Sequence, residues 1–287
     1  MPARRFTLVD VFTSTRMQGN PLAVVHDAEG LSDGVMGAFA RETRLSETTF
    51  VQPATNGAAD YRNRIWTVTR EIPFAGHPSL GTAAAVARVR GEVSVTYTQE
   101  TGAGLQPVDV EVAGSVVHVS MLQETYLPGP ELDPGEVLAA VGLELADAHP
   151  ELPCQAASTG LWHVLAPVRD DPGLLRRARP DYDRIARVLA PHDGICLYLV
   201  APDAESGSAR ARSFFGNASA GEDPATGSAA GPLCAYLDAR GAAVRVDITQ
   251  GVEMGRPSRL TCRMEGERVR VGGDVVAVVD GSVFLDG

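Results

Sequence analysis

The chain has 287 residues, 44% of them hydrophobic and 21% charged, with a formal net charge of −11 and an isoelectric point near 5.0. That length buries large cores and fits one or two domains. The acidic balance excludes nucleic acid as the main partner, because phosphate neutralisation needs a basic face, and it disfavours an anionic membrane surface. All 25 basic residues are arginine. No lysine exists to form a Schiff base or to serve a phosphate-binding loop, so the near match from Gly76 to Gly81-Thr82 is not such a loop.

Phe6 to Phe12 alternates and predicts a first strand rather than a secretion signal. Gly19-Asn20-Pro21 is a turn before a strand from Leu22 to Val25. Ser32 is placed to cap a helix carrying Val35, Met36 and Phe39 on one face. Strands follow at 48–52, with Glu47 at the start, and at 61–68. A loop, Phe74-Ala75-Gly76-His77, leads into a helix from Pro78 to about Arg90. Val108 to Val112 and Val116 to Met121 flank Gly114-Ser115 as a hairpin. The Pro-rich stretch from Leu127 to Pro134 reads as a linker.

Beyond it the rhythm repeats. A short helix is predicted over 134–141, a strand over 161–168, a helix over 182–189, and strands over 195–200 and 211–215. A second unusual helix runs from Pro224 to about Arg240 and stops at Gly241. Strands close the chain at 244–248, 258–264, 269–271 and 275–284. No run of about 18 apolar residues spans a membrane, and a cytoplasmic location is expected. Cys154, Cys196, Cys234 and Cys262 show no paired spacing and are expected to be reduced and buried. His26, His118, His149, His163 and His192 lack ligand spacing and are expected on the surface or in loops, so no metal site is predicted.

One phrase occurs twice. His77-Pro78-Ser79-Leu80-Gly81-Thr82-Ala83-Ala84 returns as Asp223-Pro224-Ala225-Thr226-Gly227-Ser228-Ala229-Ala230. Upstream, Arg62-Asn63-Arg64 is echoed by Arg210-Ala211-Arg212. Two similar halves follow from this. The helix after each phrase is apolar all round, which marks it as buried, and its small residues let strands approach on every side. Each half is therefore expected to be a curved sheet around a central helix. With proline in the first turn and glycine at the fourth position, each helix start offers unpaired N–H groups to an anion. Gly81 and Gly227 give it access, and Thr82 and Ser228 add hydroxyls. As isolated residues, Asp223 reads as an N-cap, His77 as a packed loop histidine, and Glu47 as a surface strand residue.

Four motifs in order resemble the phenazine-biosynthesis PhzF family: Gly19-Asn20-Pro21-Leu22-Ala23-Val24-Val25, Ser46-Glu47-Thr48-Thr49-Phe50-Val51, Phe74-Ala75-Gly76-His77-Pro78 through Ala83, and Glu222-Asp223-Pro224-Ala225-Thr226-Gly227-Ser228-Ala229. The resemblance covers essentially the whole chain. It implies an α+β, diaminopimelate-epimerase-like fold of two pseudo-symmetric domains. These are placed at 1–126, completed by the last strand at 277–287, and at 127–276, with the active site in the cleft between them. It also implies a homodimeric, cofactor-independent isomerase that moves a proton and a double bond within a small cyclic or unsaturated carboxylic acid.

The family's catalytic glutamate matches Glu47, its histidine His77 and its aspartate Asp223. Substrate contacts fall to Asn20, Gly76, Thr226, Gly227 and Ser228. Val68 departs from an expected proline, and the glycine- and alanine-rich stretch 215–221 bears on the pocket wall. Two other readings stand beside this one. A racemase or epimerase on the same fold would need two opposed thiols, which the twin loops lack. A silent binding protein would not need Glu47, His77, Asp223 and Ser228 all intact.

Overall fold

A computed structural model describes residues 3–203 and 206–286. The chain divides into two compact units, 1–121 with 272–287 and 122–271. In chain order the first carries β1 (Ala3–Val11), β2 (Asn20–Val25), α1 (Asp33–Thr43), β3 (Thr48–Gln52), β4 (Tyr61–Trp66), β5 (Glu71–Ile72), α2 (Gly76–Arg90), β6 (Ser94–Thr101), β7 (Gly104–Ala113) and the start of β8 (Val116–Thr125). The second carries β9 (Leu127–Glu131), α3 (Pro134–Ala139), β10 (Gln155–Ser158), β11 (Trp162–Pro167), α4 (Pro172–Arg177), α5 (Tyr182–Leu189), β12 (Cys196–Asp203), β13 (Ser208–Phe215), β14 (Glu222–Asp223), α6 (Gly227–Asp238), β15 (Arg245–Gln250), β16 (Ser258–Glu265) and the start of β17 (Arg268–Phe284).

Both units follow one plan. In the first, β1 and β2 are antiparallel, β2 and β3 parallel, β3 and β4 antiparallel, and β4 runs parallel to β6. In the second, β10 to β13 repeat these senses and β13 runs parallel to β15. The first unit closes into a ring, because β17 pairs with both β8 and β1. Gly272 admits that closure: a side chain there would come within 2.6 Å of the Val119 carbonyl.

The small-residue helices fill the sheets. Gly76 through Ala87 of α2 are all buried, and in α6 Ser228 alone among Gly227–Leu237 is not fully buried. A second layer covers the outer sheet faces. Val137, Leu138, Leu174, Leu175, Ile185 and Leu189 of α3, α4 and α5 pack on Leu197 and Leu199 of β12. Seven of the eight residues of β12, all but Asp203, are buried, as expected for a strand covered on both sides. In the first unit, Met36 of α1 packs on Val25 and Phe50. Ser32 caps α1 by accepting the Val35 amide.

Several expectations are corrected. The stretch taken for a linker is strand β9, paired with β10; its prolines sit where the exposed strand needs no donor. Strand β6 escaped the pattern because its buried face is polar, with Gln99 and Thr101 beside Tyr97. The segments 269–271 and 275–284 are one strand, β17. Strand β4 stops at Trp66, and Val68 lies in an exposed turn closed by the Thr67 amide on the Arg70 carbonyl. His26 and His163 are buried, not surface histidines. The four cysteines are buried and unpaired. Among the described residues no helix is long and apolar enough to cross a membrane.

Candidate functional site

In the first unit three predicted residues come together. Gly19 adopts φ +68°, and a Cβ there would lie 2.3 Å from the Val11 carbonyl, so only glycine fits this turn. It delivers Asn20, 1% exposed, to the first position of β2. The Asn20 side-chain amide donates to His77 Nδ1 at 3.2 Å. That leaves the proton of a neutral ring on Nε2, which faces Glu47 Oε2 at 3.5 Å. Glu47 immediately precedes β3, and its side chain is 14% exposed, so it is not a surface strand residue. Burial pushes the His77 ring down to about 3 and keeps it neutral. A carboxylate facing a neutral imidazole N–H at this distance is equipped to accept and return a proton.

In the second unit the Asp loop is held from behind. Asp223, buried in the two-residue strand β14, accepts a hydrogen bond from Thr226 Oγ1 at 2.6 Å. The Gln250 side chain donates to the Asp223 carbonyl at 2.7 Å and to Thr226 Oγ1 at 3.0 Å, and accepts the Thr226 amide at 3.2 Å. Tyr198 donates to the same Gln250 oxygen at 3.0 Å. Gly251, at φ +76°, is required beside it, since a Cβ would lie 2.6 Å from the Pro224 carbonyl. Gln250 was not singled out from sequence; its only signal was the glycine that follows it. Thr226, not Asp223, is the N-cap of α6, and no side chain caps that helix. Gly227 and Ser228 are the first two residues of that helix.

The twin phrases fold differently. Helix α2 begins at Gly76, so His77 is its second residue, whereas α6 begins only at Gly227 and Asp223 lies in a strand. Gly81 and Thr82 therefore sit past the first turn, and their expected part in anion binding fails. Gly81 is a packing glycine instead: a Cβ would come within 2.7 Å of both Leu22 Cδ2 and Val11 Cγ2. Thr82 spends its hydroxyl on Thr49 Oγ1 at 2.8 Å. What the halves do share is an arginine–carboxylate fork. Arg64 Nε donates to Glu71 at 2.7 Å, and Arg212 Nε to Glu222 at 2.8 Å, with a second N–H in each case on the other oxygen. Each fork pins the short strand that enters its loop.

Two parallel strand pairs align the halves residue by residue. Ala23 faces Thr48 as Val164 faces Leu197. Cys196 thus stands where Glu47 stands, and His163 where Leu22 stands. The site defined by Glu47 has no second carboxylate at its repeat position.

A duplicated, helix-filled α+β frame with a half-buried carboxylate facing a buried imidazole is the class of protein these observations define. The chain belongs to the phenazine biosynthesis-like (PhzC-PhzF) family, whose model matches residues 9–281, and the family is one of isomerases. It is 37% identical to the trans-2,3-dihydro-3-hydroxyanthranilate isomerase of Pseudomonas aeruginosa, over 98% of this chain and 99% of that one. The PhzF-family phenazine biosynthesis protein of Bacillus anthracis superposes with a TM-score of 0.85 at 28% identity, over 99% and 100% of the two chains. A hydroxyproline epimerase from Agrobacterium vitis shares the fold, with a TM-score of 0.64 at 14% identity, over 99% and 91%. The diaminopimelate-epimerase-like architecture expected from the motifs is the one observed.

Proposed function

We propose that this isomerase shifts a proton, and with it a double bond, within a small unsaturated carboxylic acid, without a cofactor and with Glu47 as the single base. The observation that carries the reading is the Glu47–His77–Asn20 line, in which a neutral Nε2–H faces the carboxylate at 3.5 Å. Glu47 removes a proton from a carbon made acidic by adjacent unsaturation. The electron pair moves into the conjugated system, and the resulting acid returns the proton to a different carbon of the same ligand. His77 holds the carboxylate in place through both steps. Asp223 and the Gly227–Ser228 helix start take the substrate's polar groups and carboxylate, as the resemblance implies.

Racemisation is the weaker reading. All four thiols are buried, and burial pushes Cys154, Cys196 and Cys234 up to about 12, so none is poised as a base.

The acid named for the Pseudomonas aeruginosa relative is the first substrate to try. In deuterated water, turnover is expected to place deuterium on carbon, and Glu47→Gln to lower the rate by at least ~100-fold, in the range of a lost general base. Undiminished exchange in Glu47→Gln sinks the assignment.

A further inference from the structure

The Asp loop of the second unit has an internal control, because the first unit builds the same loop. The two arginine–carboxylate forks set the register, matching Arg64 to Arg212 and Glu71 to Glu222. Strand pairing carries the match outward. Ile65 faces Ile72 as Ser213 faces Asp223, and Ile65 faces Thr49 as Ser213 faces Tyr198. Tyr61 faces Gln99 as Ala209 faces Ile248, which sets Thr101, two residues on, against Gln250. The helix N-caps are Ala75 and Thr226. The backbone fit is common to both loops: a Cβ at Gly102 would lie 2.8 Å from Pro73 Cα, as one at Gly251 would lie 3.1 Å from Pro224 Cα. The side chains are not common. Asp223, Thr226, Gln250 and Tyr198 are replaced by Ile72, Ala75, Thr101 and Thr49. Thr101 spends its hydroxyl inside its own turn, on the Gly104 carbonyl at 3.1 Å. The loop therefore folds without this network, and the network accompanies the carboxylate.

Within the network each hydrogen has one place. Gln250 and Tyr198 are fully buried. The Gln250 nitrogen must face the Asp223 carbonyl, which can only accept, and its oxygen the Thr226 backbone N–H, which can only donate. With the amide fixed this way, its second N–H points at Thr226 Oγ1, 3.0 Å away. Thr226 then has its own hydrogen left for Asp223 Oδ2 at 2.6 Å, the length of a hydroxyl donating to an ionised carboxylate. Tyr198 donates to the Gln250 oxygen from behind.

We propose that Gln250 is a positioning residue for the reaction: it turns the Thr226 hydroxyl onto Asp223, committing Oδ2 of that carboxylate to accepting and holding the group in one orientation. Without the amide behind it, the hydroxyl has no reason to point one way, and the carboxylate loses its fixed donor. The order runs in one direction, from Tyr198 through Gln250 and Thr226 to Asp223. Its consequence for turnover rests on the reading of Asp223 as a substrate contact; the order of the hydrogen bonds does not.

The test has a substrate-free arm and a kinetic one. Neutron diffraction from the deuterated full-length protein is expected to place the Thr226 hydroxyl deuterium on the line to Asp223 Oδ2. The two Gln250 amide deuteriums should point at the Asp223 carbonyl and at Thr226 Oγ1. A deuterium on Asp223 Oδ2, or a Thr226 deuterium aimed elsewhere, overturns the proposal whether or not the protein turns over any acid. With substrate, Gln250→Leu is expected to lower kcat/KM about tenfold, the loss of one hydrogen bond to a charged group. In an Asp223→Asn background the same change should cost less than about twofold, because Gln250 acts through Asp223. Equal losses in the two backgrounds mark a brace of the fold and overturn the positioning role. Gln250→Glu keeps the size and an acceptor for the Thr226 amide but removes both donors. It should lose as much as Gln250→Leu, and wild-type turnover in it also overturns the proposal. Turnover that survives Glu47→Gln sinks the assignment of the base and leaves this order of hydrogen bonds standing.

Discussion

Asn20 decides what His77 can do, and it does so through one hydrogen bond. Its amide N–H on Nδ1 keeps the ring proton on Nε2, toward Glu47. Asn20→Asp has the same shape and the opposite preference, since a carboxylate accepts where the amide donates. It would pull the proton to Nδ1 and turn a bare Nε2 lone pair on Glu47. We expect kcat to fall by roughly 10- to 100-fold, the size of a disrupted acid–base partner, with the melting temperature changed much less than by a core truncation. Wild-type turnover in Asn20→Asp would show that the tautomer does not matter. Sequence made Glu47 and Asn20 legible only through family motifs, whereas His77 also stands out as the position where the repeated phrase changes chemistry. Spacing alone places Glu47 on a surface strand, because 27 residues separate it from Asn20 and 30 from His77.

At the level of elements, two copies of nearly the same words became two different structures. Proline and glycine signals put both helix starts at the same letter, but α2 begins at Gly76 and α6 at Gly227. Propensity cannot choose between these starts. Gly81 shows how tightly α2 is fitted. In Gly81→Ala the new methyl meets Leu22 and Val11 at 2.7 Å, and both are fully buried with no room to yield. Overpacking costs about 1–3 kcal/mol, partly offset by about 1 kcal/mol of helix propensity. A net loss of roughly 1–2 kcal/mol is expected in urea unfolding, and a more stable Gly81→Ala protein would contradict the packing described. Strand β6 went unseen for the complementary reason: Gln99 and Thr101 line its buried face, so the hydrophobic period that marks a strand is absent.

For the molecule as a whole, acid is the condition to which the structure is most exposed. Three buried histidines are held neutral: His77 and His163 down to about 3, and His26 down to about 4, each mainly by burial. Below the ordinary histidine value of 6.5 the unfolded chain takes up protons that the folded chain refuses. Stability therefore falls as pH drops through 6.5, and stops falling from this source near pH 3–4, where the folded rings protonate as well. The lowered carboxyls of Glu100, Asp147 and Glu265 push the same way but below about pH 4. Urea unfolding at pH 5 against pH 7.5 thus isolates the histidines. Each contributes at most about 2 kcal/mol over that interval, so a loss of several kcal/mol is expected. A difference under about 1 kcal/mol would mean that at least two of the rings are solvated.

The repeated phrase, the all-apolar helices and the four motifs suffice to establish the family, the α+β frame and its division into like halves. These are consequences of local composition: small residues in a row bury a helix wherever it lies, and proline and glycine mark turns wherever they occur. The roles within the frame needed the tertiary structure. Strand pairing puts His163 in the place of Leu22, and it keeps Cys196 in the place of Glu47 that the 149-residue step between the halves already gives it. Only burial turns Gly81 from an anion-binding glycine into a packing one, and Gln250, 24 residues past Thr226, into the brace of the Asp loop. A contact between residues far apart in the chain carries no periodicity and no propensity, so it is written in the fold and not in any stretch of sequence.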